Sequence, residues 1–67
     1  MRISFMGAGR VAHHLAHVLS QHHKIVQIYS RTLATAQTLA AQVKATATMN
    51  IEELSPEIDL VIIAVSD

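Results

Sequence analysis

The chain opens on a short apolar run, Arg2 to Met6, in which Ile3 and Phe5 share one side and no polar alternation marks a solvent face, the pattern of a buried strand. From Arg10 the period changes. Val11, Leu15, Val18, Leu19 and His22 recur at i, i+4, i+7, i+8 and i+11 with Ala12 and Ala16 beside them, which predicts a helix running to about His22. Lys24 to Tyr29, rich in β-branched residues, predicts a second strand. Ser30 and Thr32 offer caps to a second helix carrying Leu33, Ala36, Leu39, Ala40 and Val43 at helical spacing. Ala45 to Thr48 reads as a third strand and Asn50 as the cap of a single turn, Ile51 to Leu54. Asp59 to Val65 reads as the clearest buried strand in the chain.

Strands alternating with helices in this way predict an α/β fold with a parallel sheet, in βαβαβ(α)β order. Right-handed crossovers put both long helices on one face of that sheet and leave only the Asn50–Leu54 turn for the other. Apolar strand surface then stays open. An ordered form of the chain is therefore expected either within a longer polypeptide or in a homo-oligomer that buries this face.

Size and composition narrow the picture. A chain of 67 residues builds one small core, burying about 60% of its unfolded surface. Half the residues are hydrophobic (51%), but only Phe5 and Tyr29 are aromatic, so the core is aliphatic. Without cysteine there is no disulfide, thiolate metal site or cysteine nucleophile, which fits a cytoplasmic protein. The longest apolar run, Leu60 to Val65, is far short of the roughly 18 residues a membrane span needs, so no membrane partner is expected. No nucleic-acid partner is expected either. Charge is balanced in total but segregated along the chain. Arg2, Arg10, Lys24, Arg31 and Lys44 all precede Thr46, whereas Glu52, Glu53, Glu57, Asp59 and Asp67 all follow Met49. The first turn between strand and helix thus lies in a basic stretch that favours an anionic ligand.

That turn uses both glycines of the chain. Gly7, Gly9 and Ala12 spell G-x-G-x-x-A at a strand-to-helix junction, with Ala8 between the glycines. Gly7 lets the backbone turn sharply, Gly9 lacks a Cβ so that a pyrophosphate can approach the main chain, and Ala12 lets the helix pack close to the sheet. The phosphates would sit on unpaired N–H groups near Arg10 and Val11. A dinucleotide is the ligand this pattern implies.

The end of the second strand points to one dinucleotide over the other. An NAD site usually has Asp or Glu there to bind the adenosine ribose, whereas this chain has Ser30, Arg31 and Thr32. Two hydroxyls and a guanidinium fork suit a 2′-phosphate, so NADP(H) is expected over NAD(H). Ligands of such sheets lie beyond the carboxyl ends of the strands, which brings the end of the fourth strand, Ala64 to Asp67, toward the nicotinamide half.

"ISFMGAGRVAHHLA", "VQIYSRT", "NIEEL" and "DLVIIAVSD" together resemble the N-terminal domain of a group of Rossmann-like oxidoreductases. That group includes pyrroline-5-carboxylate reductases, deazaflavin-dependent NADP reductases and related bacterial proteins. The resemblance spans essentially the whole chain. It implies that Gly7, Ala8, Gly9, Arg10 and Val11 hold the pyrophosphate, that Ser30, Arg31 and Thr32 hold the 2′-phosphate, and that Ala64 and Val65 flank the nicotinamide ribose. It also implies that residues 1–67 are the first half of a cofactor domain, with the substrate and dimerisation domain absent. The chain departs from the group at "SQHHK", which lacks the glycine that usually ends the first helix.

The five histidines carry less. His13 and His17 share a helical face, but two ligands do not make a metal site, and none is expected. His14 has no acid or nucleophile near it in sequence, and His22 and His23 close the first helix as polar residues. No residue is nominated as catalytic acid or base. The expected function is the NADP(H)-binding portion of an oxidoreductase that transfers hydride between nicotinamide and a small substrate. The rival is a nucleotide-sensing or interaction module on the same scaffold, and a methyltransferase site is disfavoured because it too prefers an acid after the second strand.

Overall fold

The computed structural model describes residues 1–64. Four parallel strands and two long helices alternate: β1 (Arg2–Met6), α1 (Arg10–Ser20), β2 (Lys24–Tyr29), α2 (Leu33–Val43), β3 (Thr46–Thr48) and β4 (Leu60–Ile63). A short 3-10 turn at Ile51–Glu53 precedes β4. The strand order is β3-β2-β1-β4, so the chain runs outward from β1 to β3 and then returns to the other side of β1. Met6 pairs with Tyr29 and with Ile63, and Tyr29 with Thr48, so all four strands end at one sheet edge.

One aliphatic cluster holds the layers together. Ile3, Phe5, Ile25 and Ile28 from the sheet meet Ala12 and Ala16 of α1 and Ala36, Leu39, Ala40 and Val43 of α2. Ile25 and Ile28 are three residues apart and would face opposite sides of a regular strand. A bulge solves this. The register steps from Ile3–Ile25 to Ser4–Gln27, skipping Val26, so Ile25 aligns with Ile3 and Ile28 with Phe5, and both are buried.

The buried stripe of α1 differs from the one expected. Val11 and Val18 are 62% and 46% exposed, while Ala12 and Ala16 are fully buried, with Leu15 and Leu19 partly so. The helix lies close to the sheet, so its small residues take the contact and its larger ones flank it. It ends at Ser20 rather than His22, and it closes without a glycine: the N–H groups of His22 and His23 both donate to the Leu19 carbonyl, at 3.1 and 2.8 Å. Helix α2 closes instead through Lys44 in the left-handed region at φ 59°, with the Ala45 N–H donating to the Ala40 carbonyl at 2.8 Å.

Strand β4 corrects a second expectation. Its residues are the most apolar in the chain, yet Leu60, Val61 and Ile63 are 41%, 39% and 68% exposed. It pairs with β1 on one side only, and its Ile62 packs, partly buried, against the core cluster. The end of the expected strand, Val65, lies outside the described residues together with Ser66 and Asp67. On the sheet face away from the helices, the Gln27 amide anchors the loop before β4. Its Nε2 donates to the Glu53 carbonyl at 2.8 Å and its Oε1 accepts from the Ser55 N–H at 2.5 Å. Among the described residues, no helix is long and apolar enough to cross a membrane.

Candidate functional site

Three loops converge where the strands end. The turn after β1 is tied to β2 by the Gly7 N–H, which donates to the Tyr29 carbonyl at 2.8 Å. The loop after β2 is tied to β3 by the Ser30 N–H, which donates to the Thr48 carbonyl at 3.1 Å. Ala64 leaves β4 with its N–H on the Met6 carbonyl at 2.8 Å, beside Gly7. Gly7 to Val11, Ser30 to Thr32 and Ala64 are thus brought to one edge, at the point where the strand order reverses. Val65, the remaining expected member, is outside the described residues.

The two glycines of the turn are needed for different reasons. Gly7 is buried with φ 116°, a conformation that penalises any residue with a Cβ. Gly9 has φ −81° and ψ −165°, extended backbone that any residue adopts. Its conformation does not call for glycine, so what the position gains is the missing Cβ, at the mouth of α1. Ala8 between them is buried.

Both long helices begin without a side-chain cap. Gly9 stands at the N-cap of α1 and Thr32 at that of α2, neither makes a side-chain capping bond, and neither helix has an acid in its first turn. Ser30 and Thr32, expected as caps, do not serve α2: the Ser30 hydroxyl accepts from the Thr32 N–H at 3.2 Å, a turn that shapes the loop ahead of the helix. First-turn N–H groups at both helix starts are left for another acceptor, and the dipoles favour that acceptor being an anion. Arg10 and Arg31 are both exposed, and among the described residues neither is in an ion pair; the one ion pair there joins Arg2 to Glu57 at 3.7 Å.

The charge segregation of the sequence is incomplete in space. Thr48 ends β3 at this same edge, and its hydroxyl donates to the Glu53 carboxylate at 2.6 Å while accepting from the Asn50 N–H at 3.1 Å. One acid thus approaches the edge through a contact that no spacing in the sequence signals, and its oxygen is engaged by Thr48. Three of the five histidines have ring partners of their own. The His13 ring meets the Gly9 carbonyl at 3.1 Å, His17 meets Gln42 of α2 at 2.6 Å, and His23 meets the chain's amino terminus at 3.0 Å.

Comparison with known proteins places this arrangement. Residues 1–67 match the family model described as oxidoreductase family, NAD-binding Rossmann fold. A proposed NADP oxidoreductase from Bacteroides fragilis superposes with a TM-score of 0.93 at 39% identity, over 98% of this chain and 26% of its own. The protein GenD2 of gentamicin A biosynthesis, in complex with NAD, superposes at 0.90 with 19% identity, over 97% of this chain and 20% of its own. The UDP-N-acetylglucosamine 3-dehydrogenase of Acidithiobacillus ferrooxidans gives 0.87 and 21%, over 98% of this chain and 22% of its own. At those identities the last two show the shared fold alone, and this chain spans about a quarter or less of each protein it resembles. No curated protein matches the sequence.

Proposed function

This chain belongs to the oxidoreductase family with an NAD-binding Rossmann fold, and from that membership we propose that it holds NADP(H) for a reductase or dehydrogenase acting on a small substrate. Gly9 carries the proposal. A glycine whose backbone has no need to be glycine, set at an uncapped helix start, leaves room for a diphosphate where a Cβ would stand. Gly7, Ala8, Gly9, Arg10 and Val11 would cradle the diphosphate, and Ala64 and Val65 would run beside the nicotinamide ribose. Once bound, the dinucleotide supplies the hydride chemistry, and these residues supply binding and orientation.

The preference for NADP(H) over NAD(H) rests on Ser30, Arg31 and Thr32. The loop carries no carboxylate to repel a 2′-phosphate, Arg31 is exposed and open to a bidentate contact, and the bare start of α2 adds N–H donors. The likeness to the pyrroline-5-carboxylate reductase and deazaflavin-dependent NADP reductase group supports the same preference, as does the 39% identity to a proposed NADP oxidoreductase. Substrate-facing groups would come from further residues of a longer polypeptide, in keeping with the length of the similar proteins and the open face of β4. A homo-oligomer is the alternative cover for that face, and the cytoplasm is the compartment this reading expects.

Charge reversal tests the preference. Arg31→Glu should lower NADPH affinity by about tenfold to a hundredfold and leave NADH affinity within about twofold, measured by titration of the intact protein with each cofactor. Equal losses for both would remove the 2′-phosphate assignment. No binding of either cofactor by the unaltered protein would remove the dinucleotide reading as a whole.

A further inference from the structure

The Gly9 carbonyl oxygen accepts twice from a single residue. The His13 main-chain N–H reaches it at 2.9 Å, as the first rung of the α1 ladder, and the His13 ring Nδ1 reaches it at 3.1 Å. A carbonyl oxygen only accepts, so Nδ1 carries the proton. Gly9 has no side chain with which to cap α1, and the imidazole reaches back over one turn to hold the end that a Ser or Asp would otherwise organise. The peptide unit that contains the Gly9 carbonyl also contains the Arg10 N–H. That unit is planar and trans, so fixing the oxygen fixes the direction of the N–H on its opposite side.

We propose that His13 is a positioning residue for the dinucleotide diphosphate: its Nδ1–H locks the Gly9–Arg10 peptide so that the Arg10 N–H stays aimed out of the helix end. The inference rests on the dinucleotide reading above and adds a residue to it. His13 touches no phosphate itself; it acts through the main chain. A capping side chain would compete with the ligand for the same N–H groups, whereas a donor on the carbonyl side organises the turn and leaves those groups free. The contact is specific in kind. Thr38 makes the same reach in α2, with its hydroxyl donating to the Ala34 carbonyl at 3.0 Å, but there both partners lie within the helix rather than at its cap. His13 is half-buried on α1, so the ring is held over the turn and not free in solvent.

The test exploits bond count. In His13→Asn, the amide nitrogen occupies the same place along the side chain as Nδ1 and can still donate to the Gly9 carbonyl; in His13→Gln, the donor is moved one bond outward; in His13→Ala, it is gone. Binding of NADPH and NADH to the intact protein, with the Arg10 amide followed by NMR, reads the result. His13→Ala and His13→Gln should weaken both cofactors alike by about threefold to tenfold and shift the Arg10 amide in the free protein. His13→Asn should stay within about twofold of the unaltered protein. Unchanged affinity in His13→Ala, or equal losses in the Asn and Gln variants, would overturn the positioning role while leaving the dinucleotide reading intact. If His13→Ala fails to fold, the Asn and Gln pair still decides. An unaltered protein that binds neither cofactor overturns both.

Discussion

The starts of the two long helices and the start of the short 3-10 turn are built on opposite plans. The turn at Ile51–Glu53 is three residues long, yet it has a side-chain cap, the Asn50 Oδ1 accepting from the Glu52 N–H at 3.1 Å, and two acids in its first turn. Helices α1 and α2, each of eleven residues, have no side-chain cap and no first-turn acid. A helix of that length gains about 1 kcal/mol from a good cap, so leaving both bare forgoes stability at the two positions where it would be easiest to add. Both bare ends lie at the edge where the strands finish. The short turn completes its own start, whereas the first-turn N–H groups of both long helices are left open to an acceptor from outside the chain.

The two glycines of the first turn should separate these plans most widely. Gly7→Ala forces a Cβ into φ 116° and should destabilise the fold by about 1–3 kcal/mol, read from a denaturant midpoint. Gly9→Ala meets no such penalty and should leave stability within about 0.5 kcal/mol, yet lower affinity for NADPH and NADH together by about tenfold to a hundredfold. A Gly9→Ala protein with full affinity would mean that nothing approaches the open end of α1.

Completing the bare end of α2 is the next sharper cut. Thr32→Asp puts a strong capping carboxylate at the N-cap and should raise stability by about 0.5–1 kcal/mol. The same charge beside Arg31 should cost NADPH about tenfold in affinity while NADH changes little, because only the former carries a 2′-phosphate. If stability rises and NADPH binds as before, the bare cap of α2 has no phosphate to serve.

How far the sequence foretells this arrangement depends on the distance over which each feature is decided. The strand-turn-helix at Gly7 and the starts of β1, α1, β2 and α2 are local, and periodicity with two glycines reveals them. Features decided by packing are less visible. Val11 and Val18 fit the apolar stripe of α1 by spacing, but the closeness of helix to sheet gives the interior to Ala12 and Ala16. The run through Leu60 and Val61 states what β4 would bury, and no residue near it states what would cover it. The bulge at Val26 is legible only once Ile25 and Ile28 are both known to be buried. Ser30 and Thr32 have the right chemistry for caps, but the Ser30 hydroxyl bonds the loop ahead of α2 and the Thr32 side chain makes no capping bond, a choice that residue type does not decide. The contacts of Gln27 with Glu53 and Ser55 and of Thr48 with Glu53 join segments brought together by the sheet, beyond the reach of any spacing rule.

The smallest expected effect tests the other side of the comparison. Asn50→Ala removes the side-chain acceptor for the Glu52 N–H but keeps the Asn50 main-chain N–H on the Thr48 hydroxyl. The turn is exposed and short, so the loss should sit at the low end for a cap, about 0.5–1 kcal/mol. Affinity for either cofactor should not move, since the cap serves only its own turn. The control is strict because the turn is not remote: Glu53 bonds Thr48, and the Thr48 carbonyl receives the Ser30 N–H at the head of the Ser30–Thr32 loop. Thermal unfolding and NADPH titration on the same variant read both quantities. A variant that loses affinity along with stability would show strain passing from the turn through Thr48 to Ser30, and the division between ends that complete themselves and ends that wait for a ligand would then fail at its nearest point of contact.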